Sequence, residues 1–124
     1  RQRLRKHGGG LMGTPSYYQN DAPFEAWDLS SLYTSDWGQV VQYVFRWQGK
    51  NGLQDLQKAV DFARHAIAND DQPIPWKHAP HAGKLLRQLQ SIGWADATHV
   101  WKALRRRDGN ATLDAIKDLI KEHK

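Results

Sequence analysis

Apolar residues recur along this chain at every third or fourth position, in runs broken by glycine and proline, and that rhythm predicts helices. Trp37, Val40, Val41, Val44 and Phe45, with Gln48 continuing the spacing, follow a period nearer 3.6 than 2 although the valines are β-branched. Ser35 or Asp36 is suited to cap this run and Gly49 to stop it. Beyond Gly49-Lys50-Asn51-Gly52, a second stripe of Leu53, Leu56, Val60, Ala63 and Ile67 ends near Asn69. Two amphipathic runs joined by so short a loop predict an antiparallel helical hairpin. Ahead of it, Asp21 can cap a short helix with Pro23 in its first turn and Phe24, Trp27 and Leu32 as apolar positions.

Pro73, Pro75 and Pro80 then crowd the stretch from Asp70 to His81, which reads as an extended connector. Three shorter helical patterns follow: Leu85, Leu86 and Leu89; Val100, Trp101 and Leu104 behind Asp96; and Leu113, Ile116, Leu119 and Ile120 behind Asn110 or Thr112. Gly93 and Gly109 separate them. The predicted fold is all-α: a flexible basic arm at 1–16, a hairpin domain at 17–70, a proline-rich connector at 71–81 and a three-helix unit at 82–124.

A length of 124 residues suits one ordinary domain or two very small ones sharing a core. Six tryptophans are expected to lock the halves together or to line a pocket. The absence of cysteine excludes disulfides, thiolate chemistry and cysteine zinc sites, and predicts a cytoplasmic setting. No run of apolar residues reaches the length of a membrane span, so no membrane partner is expected. Charge is segregated. The first seven residues carry Arg1, Arg3, Arg5 and Lys6; residues 8–76 hold four basic against eight acidic side chains; residues 77–124 hold ten basic against five acidic ones. The arm and the run Arg105-Arg106-Arg107 would suit a nucleic-acid backbone or an acidic host-protein surface, as a non-catalytic binding module.

Most catalytic chemistries fail on residue type. Gly49-Lys50-Asn51-Gly52 lacks the length and the terminal Ser/Thr of a P-loop. Of six histidines only His78 and His81 lie close together, with no third ligand at a metal spacing, so no metal site is expected. Glu25 and Glu122 are the only glutamates, too few for a magnesium carboxylate cluster, although Asp55 with Asp61 would suffice for one ion. One constellation remains at the hairpin turn. Arg46 and Lys50 close one helix while Asp55 and Lys58 open the next, where free amides and cations together suit a phosphate.

The segment from Tyr18 to Phe62 resembles a family of small phage proteins, long catalogued as a domain of unknown function, that includes a nucleotide kinase of T-odd phages. The resemblance rests on Tyr17-Tyr18, Pro23, the run Gly38-Gln39-Val40-Val41-Gln42-Tyr43-Val44-Phe45-Arg46, then Lys50-Asn51-Gly52, Asp55-Leu56-Gln57-Lys58-Ala59 and Phe62. The family usually has His-Tyr at Tyr17-Tyr18 and Lys-Tyr at Gln42-Tyr43. The resemblance implies nucleotide handling in infected bacterial cytoplasm, as a homo-oligomer, extending to P-loop-independent phosphoryl transfer to a deoxynucleoside monophosphate with Mg²⁺. Arg46, Lys50 and Lys58 would then hold phosphates, Asp55 would orient a basic residue or the metal, Asp55 and Lys58 would serve catalysis, and Tyr18 and Tyr43 would stack on a base. In the C-terminal part, Leu89, Ile92-Gly93-Trp94, Ala103-Leu104, Gly109-Asn110, Ala115 and Leu119-Ile120 are spaced similarly to ubiquitin-associated three-helix domains, which implies a protein-binding surface.

Overall fold

A computed structural model describes residues 22–77 and 79–124. The basic arm with Arg1, Arg3 and Arg5, together with Tyr18 and Asp21, lies outside the described residues, as does His78. The fold is all-α, with no strand among the described residues. Among the described residues six helices follow in order: α1 (Ala26–Ser30), α2 (Ser35–Arg46), α3 (Leu53–Ala68), α4 (Ala79–Ile92), α5 (Thr98–Arg105) and α6 (Gly109–Glu122). Short 3₁₀ turns at Trp47–Gly49 and Trp94–Asp96 interrupt the chain after α2 and α4.

The hairpin of α2 and α3 forms as the hydrophobic stripes require, with Trp37, Val40, Val41, Val44, Leu56 and Val60 all fully buried. Polar pairs at both ends fix its antiparallel register. At the open end His65 Nδ1 lies 2.6 Å from Asp36 Oδ2, and at the turn Arg46 Nη2 donates to Asp55 Oδ1 at 3.3 Å. Gly52 caps α3 with φ +63°, a left-handed conformation that glycine adopts without the cost a Cβ would add.

Helix boundaries depart from the sequence pattern where a neighbouring group competes for the cap. Thr34 precedes α2, but its hydroxyl donates to Asp71 Oδ2 at 2.7 Å and not to the helix end. The leading helix begins at Ala26 behind Glu25, whose N–H donates to Asp28 Oδ2 at 3.1 Å, and so starts beyond Pro23. Asp108 caps α6 by accepting from the Ala111 N–H at 3.0 Å, ahead of both Asn110 and Thr112. The connector is shorter than predicted: α4 starts at Ala79 and takes Pro80 into its first turn, where proline's missing N–H costs no helical bond.

The helices touch in a closed circuit. α1 lies on α2, α2 on α3, α3 on α6, α6 on α5, α5 on α4, and α4 returns to α1, all around one continuous apolar cluster. Four tryptophans build that cluster, and each donates its indole N–H to a backbone carbonyl: Trp37 to Asp71 at 2.6 Å, Trp47 to Ala95 at 2.8 Å, Trp94 to Phe45 at 2.9 Å and Trp101 to Trp94 at 2.9 Å. Trp47 and Trp94 therefore clasp the hairpin and the C-terminal helices reciprocally. Trp27 and Trp76 stay exposed. No described helix is long and apolar enough to cross a membrane.

Candidate functional site

The last turn of α2 carries Tyr43 and Arg46 at a spacing of three, which places both on one helix face. The Arg46 guanidinium carbon sits 4.7 Å from the centre of the Tyr43 ring, and that ring stacks on Phe62 of α3 at 5.9 Å. Asp55 holds the guanidinium from below. Its carboxylate is 2 % exposed, while the Arg46 side chain keeps a third of its surface in solvent. Oδ2 of Asp55 accepts the Asn51 N–H at 3.1 Å and Oδ1 accepts both the Arg46 contact and the Asn51 amide at 3.5 Å. A carboxylate so enclosed is tolerated because a cation and several donors satisfy it.

Asp55 thus fixes a positive group in place, with both its oxygens engaged in hydrogen bonds. Asp61, on the same helix, is exposed and accepts from Gln57 Nε2 at 3.4 Å. Among the described residues no three of His, Asp and Glu gather as a metal-binding set. Among the described residues, therefore, no ready-made carboxylate cluster stands for the Mg²⁺ that the phage resemblance implies.

On its outer side Arg46 borders an open groove of ≈ 470 Å³ between α1, the α1–α2 loop and α2. Trp27, Ser31, Gln39, Gln42 and Tyr43 share its walls with Arg46. Gln42 is oriented by donation to Ser30 Oγ at 2.8 Å, whereas Gln39 is exposed. Only one hydrogen bond, to Asp55, uses the Arg46 donors among the described residues, and its Nε is buried without an acceptor. The groove so combines two aromatic rings, amide and hydroxyl groups and one guanidinium.

Of the nominated residues, Arg46 and Asp55 of the hairpin turn come together with Tyr43, which the resemblance named. Lys50 and Lys58 are exposed, pair with no carboxylate among the described residues and lie outside the groove. Spacing nominated Arg46 and the resemblance Tyr43, but neither nominated Gln39, Gln42 and Trp27, whose grouping depends on how closely α1 crosses α2. Gly38 permits that crossing, since a Cβ there would sit 3.0 Å from the Ser30 carbonyl oxygen.

The Arg105-Arg106-Arg107 run divides. Arg105 and Arg107 line a second groove, of ≈ 280 Å³, together with Arg87 of α4. Arg106 faces the cleft between α5 and α6 among Asp108, Asp114 and Asp118. Comparison of the chain with protein-family models, with curated proteins and with solved structures finds no match.

Proposed function

We propose that this chain is a nucleotide-binding protein related to the phage family it resembles, and that it takes a nucleoside phosphate in the groove between α1 and α2. The observation that carries the reading is the junction of Tyr43 and Arg46 on one wall of that groove, with the guanidinium anchored by buried Asp55. A nucleotide needs a flat apolar contact for its base, hydrogen-bonding groups for the base edges and sugar, and a fixed cation for its phosphate. The rings of Tyr43 and exposed Trp27 offer the first, Gln39, Gln42 and Ser31 the second, and Arg46 the third. Arginine suits this place because it can keep one edge on Asp55 and turn another to a phosphate.

Binding is the extent of the reading. Phosphoryl transfer, which the resemblance adds, works by positioning and charge neutralisation around a metal-bound phosphate. With Asp55 committed to Arg46 and Asn51, this site offers no carboxylate to that metal. The test is a thermal-shift series with nucleoside mono-, di- and triphosphates, with and without magnesium. A bound nucleotide raises Tm through its preference for the folded state. Arg46→Lys, which retains the charge opposite Asp55, is expected to abolish the rise, and Tyr43→Leu to weaken it. Lys58→Ala, outside the groove, should leave the rise intact. No rise with any common nucleotide removes the proposal, and loss on Lys58→Ala alone moves the site to the hairpin turn.

A further inference from the structure

A second groove stands where the connector meets α4 and the α5–α6 turn. Arg87, Arg105 and Arg107 line a single groove of ≈ 280 Å³ with Pro75, Ala79 and Gly83. No carboxylate lines it among the described residues. Arg105 Nε donates to Gln90 Oε1 at 3.2 Å, which orients that side chain, while the side chains of Arg87 and Arg107 make no hydrogen bond or ion pair among the described residues. Three guanidiniums around one small groove repel one another unless an anion joins them.

Backbone conformation at this groove points the same way. Arg107 closes α5 in the left-handed conformation, φ +59°, with its N–H on the Leu104 carbonyl at 2.9 Å and the Asp108 N–H on the Ala103 carbonyl at 3.2 Å. Glycine is the residue that fills this position at least cost. An arginine there spends about 1 kcal/mol of conformational strain to project a cation into the groove.

The chain leading out of the groove carries an exposed aromatic ring. Pro75 lines the groove, and its neighbours Ile74 and Trp76 are exposed at 53 % and 66 %. The Trp76 backbone is tied down by donation to the Leu32 carbonyl at 2.7 Å, so the exposed ring is presented from a fixed point. Lys77 Nζ lies 4.2 Å from the ring centre, over one of its faces. Unpaired cations with an adjacent open aromatic face are the elements by which proteins hold single-stranded nucleic acid, phosphates on the cations and a base on the ring. A duplex hides its base faces and would use only the cations.

We infer that the groove of Arg87, Arg105 and Arg107, together with exposed Trp76 one residue beyond its Pro75 wall, binds the phosphodiester backbone of a single-stranded nucleic acid. This site is separate from the nucleotide groove and uses none of its residues.

Fluorescence anisotropy of a short labelled deoxyoligonucleotide, titrated with the full chain over a series of salt concentrations, tests it. The single strand is expected to bind more tightly than the same sequence as duplex. Arg87→Ala and Arg107→Gly should each flatten the log–log salt dependence by roughly 0.7. Trp76→Ala should weaken binding roughly tenfold. Arg107→Gly suits the left-handed backbone, so it should retain or raise Tm while losing affinity, which separates lost contact from lost fold. Arg106→Ala and Arg46→Lys should leave strand binding unchanged, the latter keeping this result distinguishable from the nucleotide test. The inference is overturned by absence of binding at low salt, by equal loss on Arg106→Ala, or by affinity indifferent to Arg87, Arg107 and Trp76. Competition by inorganic phosphate beyond that of sodium chloride at equal ionic strength would likewise overturn it, in favour of a free-phosphate site.

Discussion

Tyr33 is buried to its hydroxyl, and that hydroxyl has no hydrogen-bond partner. Burial pushes its ionisation far above the ordinary 10, and the positive charge of Arg107 only partly opposes the shift. In the unfolded chain the phenol ionises near 10, so the folded state alone keeps the proton above that pH. The contribution to stability is therefore fully present below pH 10 and is lost as pH rises beyond it. Tyr33→Phe removes both the unpartnered hydroxyl and the titration. At neutral pH the variant should equal or exceed the wild type by about 1 kcal/mol in urea melts. Above pH 10 the difference should widen in favour of phenylalanine. Parallel loss of stability in both proteins would show that the folded-state phenol ionises near its ordinary value, with the Arg107 charge or water offsetting its burial.

Between α1 and α2 the decisive position is Gly38, whose place in a helix is unfavourable by propensity alone. Alanine would gain about 1 kcal/mol in an isolated helix. Here its Cβ would stand 3.0 Å from the Ser30 carbonyl oxygen, a backbone atom that cannot swing aside. Gly38→Ala is expected to destabilise by about 1–3 kcal/mol, the sign reversed from propensity, and to distort the groove that Ser31, Gln39 and Arg46 share. Urea denaturation reads the first effect and nucleotide thermal shift the second; a stabilised variant would mean that α1 rides loosely on α2. At this scale the sequence was informative about the helices and much less so about their junctions. Periodicity located α2 and α3 because burial dominates over eleven or more residues. It grouped Arg46, Lys50 and Lys58 because spacing registers proximity along a helix, while the path of the turn is set by the 3₁₀ residues Trp47–Gly49 and the left-handed Gly52. Asp55, to which the phage resemblance assigns a catalytic role, is drawn inward by its pairing with Arg46 and the Asn51 N–H.

Across the whole molecule, the two halves that the proline-rich segment suggested are joined by core contacts that no local pattern encodes. Trp47 reaches the Ala95 carbonyl across 48 positions of chain, and Trp94 reaches the Phe45 carbonyl across 49. The tryptophan content announced large burial but could not say which rings would face inward. That choice depends on Ala95 and Asp96 both adopting left-handed backbone, φ +60° and +56°, in the turn that brings Ala95 under Trp47. Phe45 meets Trp94 and Trp101 at 5.2 and 6.5 Å between ring centres, so the C-terminal helices cover the apolar side of the hairpin end. Gly109 completes the seam, with an added Cβ falling 3.1 Å from the Trp37 ring. Were the hairpin to stand alone, Phe45, Trp47 and the neighbouring face would enter water, at a cost of roughly 1.5–3 kcal/mol for each large side chain. That sum matches the whole stability of a small domain, about 5–15 kcal/mol. A fragment of residues 22–77 should therefore lack cooperative thermal unfolding and show reduced helical circular dichroism, and adding a fragment of residues 78–124 in trans should restore both. A fragment 22–77 that melts cooperatively by itself would establish the hairpin as an independent domain and reduce the tryptophan clasp to a docking contact.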